Sequence, residues 1–385
     1  MGKKMRLFPG IIGSLAAVAV YAAINIYIAR RIYQWLTLVF PGVNLIVFVV
    51  AYSLVTVTMI MGFVPAPSVI RRVIDWVSAY WMGMFVYLFL FFLTADIIVL
   101  TGRLARILPG PLQRDVLFFR GLAAIVLTIA VVSFGVYNAN QIRFASYDIV
   151  LEDRTLSDEL KIVLISDLHI GSLNAERNLE SIIQGINNLS PDIVCIAGDI
   201  FNNSISTLSD SGRVMSLLKS IETVHGVYAS MGNHDGGRKF DEIVEFLGES
   251  GVRLLADECV EIDGRLLLVG RVDRSPIGGL GNIKRKDISD VLPPCGAGMP
   301  VVVIDHNPSG IGGYSGYADL ILAGHTHKGQ MFPMNLITRA MYEVQYGHYQ
   351  RDESSPHVVV TSGTGTWGPP IRIGSNNEIV SINLK

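Results

Sequence analysis

Four apolar runs crowd the first 140 residues. Each approaches the roughly 20 residues that an α-helix needs to cross a bilayer. They fall at about Pro9–Ala29, Val43–Val64, Val77–Leu100 and Gly121–Tyr137, separated by Pro, Gly and Arg clusters. Lys3, Lys4 and Arg6 ahead of the first run imitate the start of a signal peptide, but three further runs favour a retained helix. The start Met1-Gly2-Lys3-Lys4-Met5-Arg6 lacks the Ser or Thr of a myristoylation site. Four spans would put both termini on one membrane face. Positive-inside counting does not choose the face, because Arg30, Arg31, Arg103, Arg106, Arg114 and Arg120 on one side balance Lys3, Lys4, Arg6, Arg71, Arg72 and Arg143 on the other.

Two details of this half bear on function. Asp96 lies inside the third run, where an ionised group is costly and marks either a proton or ion path or, being near the run's end, a capping or snorkelling role. The connection from Arg103 to Arg120 alternates Arg with Leu, Ile and Phe around Leu108-Pro109-Gly110-Pro111. It reads either as a segment lying flat among lipid head groups or as an ordinary polar turn.

Beyond Asn140 the chain changes character. The first 140 residues carry eleven Lys/Arg against three acids, a charge of +8, so the remainder, with twenty against thirty, carries −10. A half-hydrophobic chain with 17% charged residues and a net charge of −2 is neither disordered, collagenous nor a basic nucleic-acid binder. All eight histidines and all three cysteines lie in the acidic half. The cysteines, 195, 259 and 295, form no C-x-x-C pair and read as packing residues.

Short β-rich runs now alternate with helical stretches, the pattern of an α/β domain. Strands are expected at Lys161–Ile165, Asp192–Ala197, Gly226–Ser230, Arg265–Gly270, Val301–Ile304, Asp319–Ala323 and His357–Thr361. Helices are expected at Asn174–Leu189 and Lys239–Glu249. Runs such as Ile193-Val194-Cys195-Ile196-Ala197 suit strands covered on both faces. Five polar clusters follow strands: Ser166-Asp167-Leu168-His169, Gly198-Asp199, Gly232-Asn233-His234-Asp235, Asp305-His306-Asn307 and Gly324-His325-Thr326-His327. The carboxyl ends of strands are where open α/β sheets bind ligands, so the five loops are expected to converge. Asp, Asn and His donors without thiolates suit Mn²⁺, Fe²⁺ or Zn²⁺. Seven such residues exceed one ordinary site, and two cations roughly 3.5–4 Å apart sharing a carboxylate account for them.

The ordered series D-L-H, G-D, G-N-H-D, an isolated H and G-H-T-H resembles the calcineurin-like metallophosphoesterases, from Lys161 to the carboxyl terminus. The apolar runs and the change of composition set a transmembrane domain over residues 1–140 and a linker or first strand over 141–160, and the resemblance implies, over 161–385, a four-layer α/β/β/α sandwich. It assigns Asp167, His169 and His327 to one metal, Asn233, His306 and His325 to the other, and Asp199 as the bridge. It makes His234 the donor of a proton to the leaving oxygen, oriented by Asp235, with a metal-bridging hydroxide attacking phosphorus in line. Two divalent ions, Mn²⁺ first among them, are the implied cofactors.

Other features are weaker. Lys328 replaces the first residue of a small Gly-Gly pair common in relatives, and it reads either as a cationic phosphate contact at the rim or as a solvated lysine. Arg271 and Arg372 follow expected strands and are candidates to clamp phosphate oxygens. Gly278-Gly279-Leu280-Gly281 completes no dinucleotide fingerprint and reads as a loop. His225, His348 and His357 lie outside the series and read as structural. Asn188-Leu189-Ser190 and Asn202-Asn203-Ser204 match the glycosylation sequon, which has no meaning in a bacterial source.

A soluble phosphoesterase has no need of four spans. The leading expectation is therefore a membrane-integrated hydrolase of a phosphoester or pyrophosphate bond in a lipid or lipid-linked substrate, with the bilayer and that lipid as partners and no nucleic acid. Some membrane-associated members of the family it resembles hydrolyse UDP-diacylglucosamine. One alternative is a tethered phosphodiesterase acting on a soluble substrate. A second is a transporter or channel with a metallophosphoesterase-like sensing module, disfavoured by the scarcity of polar residues in the apolar runs.

Overall fold

The computed structural model describes the chain except for residues 1, 63, 65–66, 109–112, 152–155, 157, 174, 203–204, 237–239, 277–283 and 293–297. The Pro109–Pro111 turn, the Gly278–Gly281 stretch, Cys295 and the Asn203–Ser204 part of the second sequon lie outside the described residues. Two compact units divide at Phe134/Gly135, some residues earlier than the change of composition at Asn140.

Unit one is helical. It holds α1 (Gly2–Val39), α2 (Leu45–Met61), α3 (Ser68–Leu104) and most of α4 (Arg114–Ala139). The helices outrun the apolar runs, because Arg30, Arg31 and Arg103 end the hydrophobic stretch without disfavouring helix. α1 stops ahead of Pro41-Gly42, α2 ends at Met61 with Gly62 as its cap, and Pro67 directly precedes α3. Asn44 caps α2 by accepting from the N–H groups of Ile46 (2.8 Å) and Val47 (3.2 Å). Three helices, α1 from Leu15, α3 and α4, are long and apolar enough to cross a membrane. α2 has 17 residues. At 1.5 Å per residue it reaches roughly 26 Å, short of a hydrocarbon core of about 30 Å. Ile28, Trp81, Leu88, Phe92 and Ala124 make an inner core, while Ile26, Val47, Leu54, Val69 and Ile98 face outward.

Unit two is built on two six-stranded sheets. The first has the order β1 (Ile142–Ile149), β12 (Asn377–Leu384), β2 (Leu160–Ile165), β3 (Ile193–Ala197), β4 (Val227–Ser230), β5 (Val252–Leu254). The second runs β10 (Gly347–Tyr349), β11 (His357–Val360), β9 (Leu320–Ala323), β8 (Val301–Ile304), β7 (Leu266–Gly270), β6 (Glu258–Ile262). Period-two alternation explains the fully apolar strands. In β2, Ile162 and Leu164 face the core between the sheets, and Val163 and Ile165 face the helices α5 (Ala175–Asn188), α6 (Ser211–Lys219) and α7 (Phe240–Glu249). In β8, Val302 and Ile304 face the same inner core, while Val301 and Val303 pack outward with Ile311, Tyr314 and the short α8 (Ile288–Val291). The fourth layer is thus thin.

Strands β2, β3, β4 and β5 run parallel, as do β7, β8, β9 and β11. Parallel neighbours end on the same edge, and that geometry gathers the loops after β2, β3, β4, β8 and β9. Helix α9 (Met334–Met341) follows the last of these loops.

Candidate metal centre

Ligand-type side chains emerge within a few residues of five strand ends and meet in two cups. Asp167, His169 and His327 offer ligand atoms that all lie within 4.8 Å of one another, and so do Asp199, His306 and His325. In the first cup His327 Nε2 lies 3.2 Å from Asp167 Oδ1 and 3.3 Å from His169 Nε2. In the second, Asn233 Oδ1 lies 2.9 Å from His325 Nδ1 and 3.2 Å from His306 Nε2. Asp199 joins the two: its Oδ2 is 3.3 Å from His306 Nε2 and 3.7 Å from His169 Nε2. All seven residues expected as ligands therefore surround one place.

The backbone is bent to achieve this. Asp167, His169, Asp199, His325 and His327 have φ between 46° and 68°, the left-handed region that side-chain-bearing residues avoid. Each costs on the order of 1–3 kcal/mol and persists only where neighbours enforce it. Asp167 N–H donates to Gly198 O, His169 N–H donates to Asp199 O, and Gly365 N–H donates to Asp167 O, each at 3.0 Å. Two glycines are steric necessities: a Cβ on Gly232 would strike Asp199, and one on Gly324 would strike Ser166 and Asp167.

These residues fit divalent cations on their own chemistry. Asp167 Oδ1 is buried with no hydrogen-bond donor among the described residues. Burial pushes His169 down to about 3 and, helped by the charge on His306, His325 down to about 4, leaving neutral imidazoles with free lone pairs. For Asp167, burial opposes ionisation, but His327, His306 and His169 hold it well below the usual carboxylate range. For His306, burial opposes protonation, but Asp199 and Asp167 hold it well above the usual imidazole value. Its Nδ1 lies 2.7 Å from Ala197 O, which selects the Nδ1–H form and aims Nε2 inward. Buried acceptors left unpartnered, as Asp167 Oδ1 is, are costly, and coordination to a cation removes that cost.

His234 borders both cups. Its N–H donates to Asp199 Oδ1 at 2.8 Å, and its ring stands edge-on to His169 at 5.0 Å. Burial holds it below its ordinary value against the carboxylates, so a phosphate's charge entering the cup would favour its protonation. The neighbouring Asp235 accepts from backbone N–H groups. Its Oδ1 accepts from Ile200 N and Phe201 N at 3.0 Å each and its Oδ2 from Gly232 N at 2.9 Å, so it fixes the Gly232–Asp235 loop through backbone contacts. Burial and the Asp199 charge raise it to about 6.

The three expected phosphate contacts fare differently. Arg271 is buried and paired with Asp257 at 3.1 Å, donating also to Lys286 O, which commits it to the fold instead of a phosphate. Arg372 is fully buried, and its guanidinium donates to His327 O (3.2 Å), Gly363 O (3.3 Å) and Gly365 O (2.5 Å). It braces the ligand loop rather than clamping substrate. Lys328 is half-buried with Nζ 3.8 Å from the Tyr346 ring centroid, a cation–π contact. His348 and His357 pair with each other at 3.0 Å in the second sheet, apart from the seven.

Sequence reasoning missed several contributors. Ser166 donates its hydroxyl to Asp167 Oδ2. Trp367, half-exposed, stands 6.4 Å from the His234 ring. No spacing announces either one; Ser166 is only the residue before the D-L-H motif.

Two facing sheets with paired ligand cups at their strand ends define an α/β domain of the metallohydrolase type. Residues 160–329, which lie within unit two, match the family described as Calcineurin-like phosphoesterase. An uncharacterized metallophosphoesterase of Helicobacter pylori is 31% identical over 235 residues, 60% of this chain and 60% of that protein. One of Campylobacter jejuni is 26% identical over 394 residues, covering 97% of this chain and 98% of its own length. A zebrafish (Danio rerio) protein named "Transmembrane protein with metallophosphoesterase domain" is 29% identical over 286 residues, 70% of this chain and 63% of that one. The chain thus spans about 60% of the length of the Helicobacter pylori relative, and nearly all of the Campylobacter one.

Proposed function

We propose that this protein is a membrane-integrated phosphoesterase that uses two divalent cations, Mn²⁺ foremost, to hydrolyse a phosphoester or pyrophosphate bond of a lipid or lipid-linked substrate. The observation that carries the chemistry is the pair of ligand cups sharing Asp199 with His234 between them. Asp167, His169 and His327 would hold one ion, and Asn233, His306 and His325 the other. Bound there, the ions supply Lewis acidity, offsetting charge on phosphoryl oxygens and activating water. His234 stands ready to protonate the leaving oxygen, Asp235 holds its loop in register, and Arg372 braces the backbone carbonyl of His327.

Helix α9 supports the lipid part of the reading. It packs directly against the ligand loop, since a Cβ on Gly329 would collide with Asn335. Phe332, Met334, Leu336, Ile337 and Met341 nevertheless expose their side chains, Met341 by 68%. A water-soluble domain gains nothing from such an apolar patch beside a polar site, whereas an acyl chain or bilayer surface would cover it. The test is a panel of phospholipids, lipid pyrophosphates and water-soluble esters presented to the full-length protein with Mn²⁺. Release of phosphate or a phosphorylated head group from a lipid is expected, and turnover confined to soluble esters would defeat the lipid claim.

A further inference from the structure

We propose that the helical unit carries a binding pocket for a phosphate group, of the kind an acidic lipid presents, built by Arg31, Arg103 and Arg120 around Asp96. The pocket is a cavity of about 430 Å³ lined by these four residues together with Gln34 and Trp35. Asp96 is fully occupied: its Oδ1 accepts from Arg120 at 2.9 Å, and its Oδ2 accepts from Arg31 and from the Tyr27 hydroxyl at 2.6 Å each. That arrangement leaves no free carboxylate for a proton or cation path. It also leaves three guanidinium groups against one carboxylate, an excess of two positive charges. The Nε atoms of Arg31 and Arg120 are buried without a hydrogen-bond partner among the described residues, and Arg103 has no ion pair among them.

Unpaired guanidinium N–H groups in a low-dielectric cavity call for an anion, and a tetrahedral phosphate oxygen cluster matches their fork geometry better than a carboxylate already in use. The depth suits a lipid phosphate. Arg31 lies eight residues before the end of α1, Asp96 eight before the end of α3, and Arg120 six after the start of α4. At 1.5 Å per residue all three sit within roughly 12 Å of their helix ends. Helices α1 and α3, of 38 and 37 residues, exceed the hydrocarbon core, so their ends lie at head-group level. Trp35, with its indole N–H on Phe118 O at 3.1 Å, is the residue type that favours this level. The inference concerns unit one alone and stands whether or not the phosphoesterase acts on lipids.

Native mass spectrometry of the full-length protein tests it, with dioleoyl phosphatidic acid and dioleoylglycerol titrated in parallel and inorganic phosphate added as competitor. One phosphatidic acid retained per chain in preference to dioleoylglycerol is expected. Retention should fall roughly tenfold in Arg103→Gln, by the loss of a charge-assisted contact. Arg103 holds up no ion pair among the described residues, so this variant is expected to fold, and Arg120→Lys, which keeps the charge, should retain most of the binding. The triple variant Arg31→Gln/Asp96→Asn/Arg120→Gln, which neutralises the paired carboxylate together with both of its arginines, should lose the retained lipid. Displacement by millimolar inorganic phosphate would support the phosphate pocket while assigning its occupant to free phosphate rather than lipid. Equal retention of phosphatidic acid and dioleoylglycerol, or retention unchanged in Arg103→Gln and the triple variant, would overturn the proposal.

Discussion

A carboxylate shared between two cups does more than any of the other ligands, which makes Asp199 the most exposed point of the mechanism. Asp199→Asn keeps the volume and the acceptor for His234 N–H but removes the charge that offsets two cations and holds His306 protonated in their absence. Elemental analysis of purified protein should show the metal content falling by half or more, with affinity down by at least about tenfold. His234→Asn should behave in the opposite way. Its side chain is not needed by either cup, so metal content should remain while turnover drops by roughly 10²-fold or more, the scale of general-acid assistance. Near-normal turnover would remove His234 from the reaction. The seven ligand candidates were legible in the sequence because residue type and strand-end position are both linear properties. The left-handed backbone at five of them and the hydroxyl of Ser166 on Asp167 were not, because each depends on contacts made across the fold. Arg271 and Arg372 misled for the same reason: an arginine after a strand looks alike whether it faces solvent or, as here, Asp257 or His327.

Elements were readable in proportion to how apolar they are. β2, β3, β8 and β9 lie between hydrophobic layers and appear as unbroken runs, whereas β12 mixes Asn377, Glu378, Ser381 and Asn383 among its apolar residues. Its Glu378 is buried only because Thr361, Ser362 and Tyr346 donate to it. β12 nonetheless lies inside its sheet, antiparallel to β2 and parallel to the edge strand β1, so the first and last strands of the domain depend on each other. Helix α9 escaped notice because its apolar side chains do not face a core. Leu336→Glu/Ile337→Glu would test what they face. Both side chains are more than half exposed, so thermal stability should change little, whereas hydrolysis of a vesicle-borne substrate should fall by about tenfold or more for lost apolar contact. Soluble-ester turnover, measured in the same preparation, should hold. Gly324→Ala is the structural counterpart at the β9 loop. The added methyl meets Ser166 and Asp167, and unfolding should become easier by about 1–3 kcal/mol, with metal lost in parallel.

At the scale of the molecule, the change in composition at Asn140 and the structural division at Phe134/Gly135 differ by one turn of helix, and that turn has consequences. Arg372 N–H donates to Gly135 O at 3.0 Å, and the Asn138 amide donates to Arg372 O at 3.1 Å and Ser375 O at 2.9 Å. Asn377 in turn donates to Ala139 O. The last turn of α4 therefore holds the loop whose arginine braces His327. A chain cut after residue 140, where the composition changes, loses these contacts, while one beginning at Gly135 keeps them. Four hydrogen bonds at about 1 kcal/mol each predict that the longer version unfolds at higher denaturant concentration and binds metal more tightly. The same comparison separates the competing roles of the helices. If they only tether the enzyme, the version beginning at Gly135 should match the full-length protein on every substrate. If the substrate is held in the bilayer, soluble-ester turnover should agree within about threefold. Hydrolysis of a vesicle-borne phospholipid should then drop by at least about tenfold, because a two-dimensional encounter has been replaced by a bulk one.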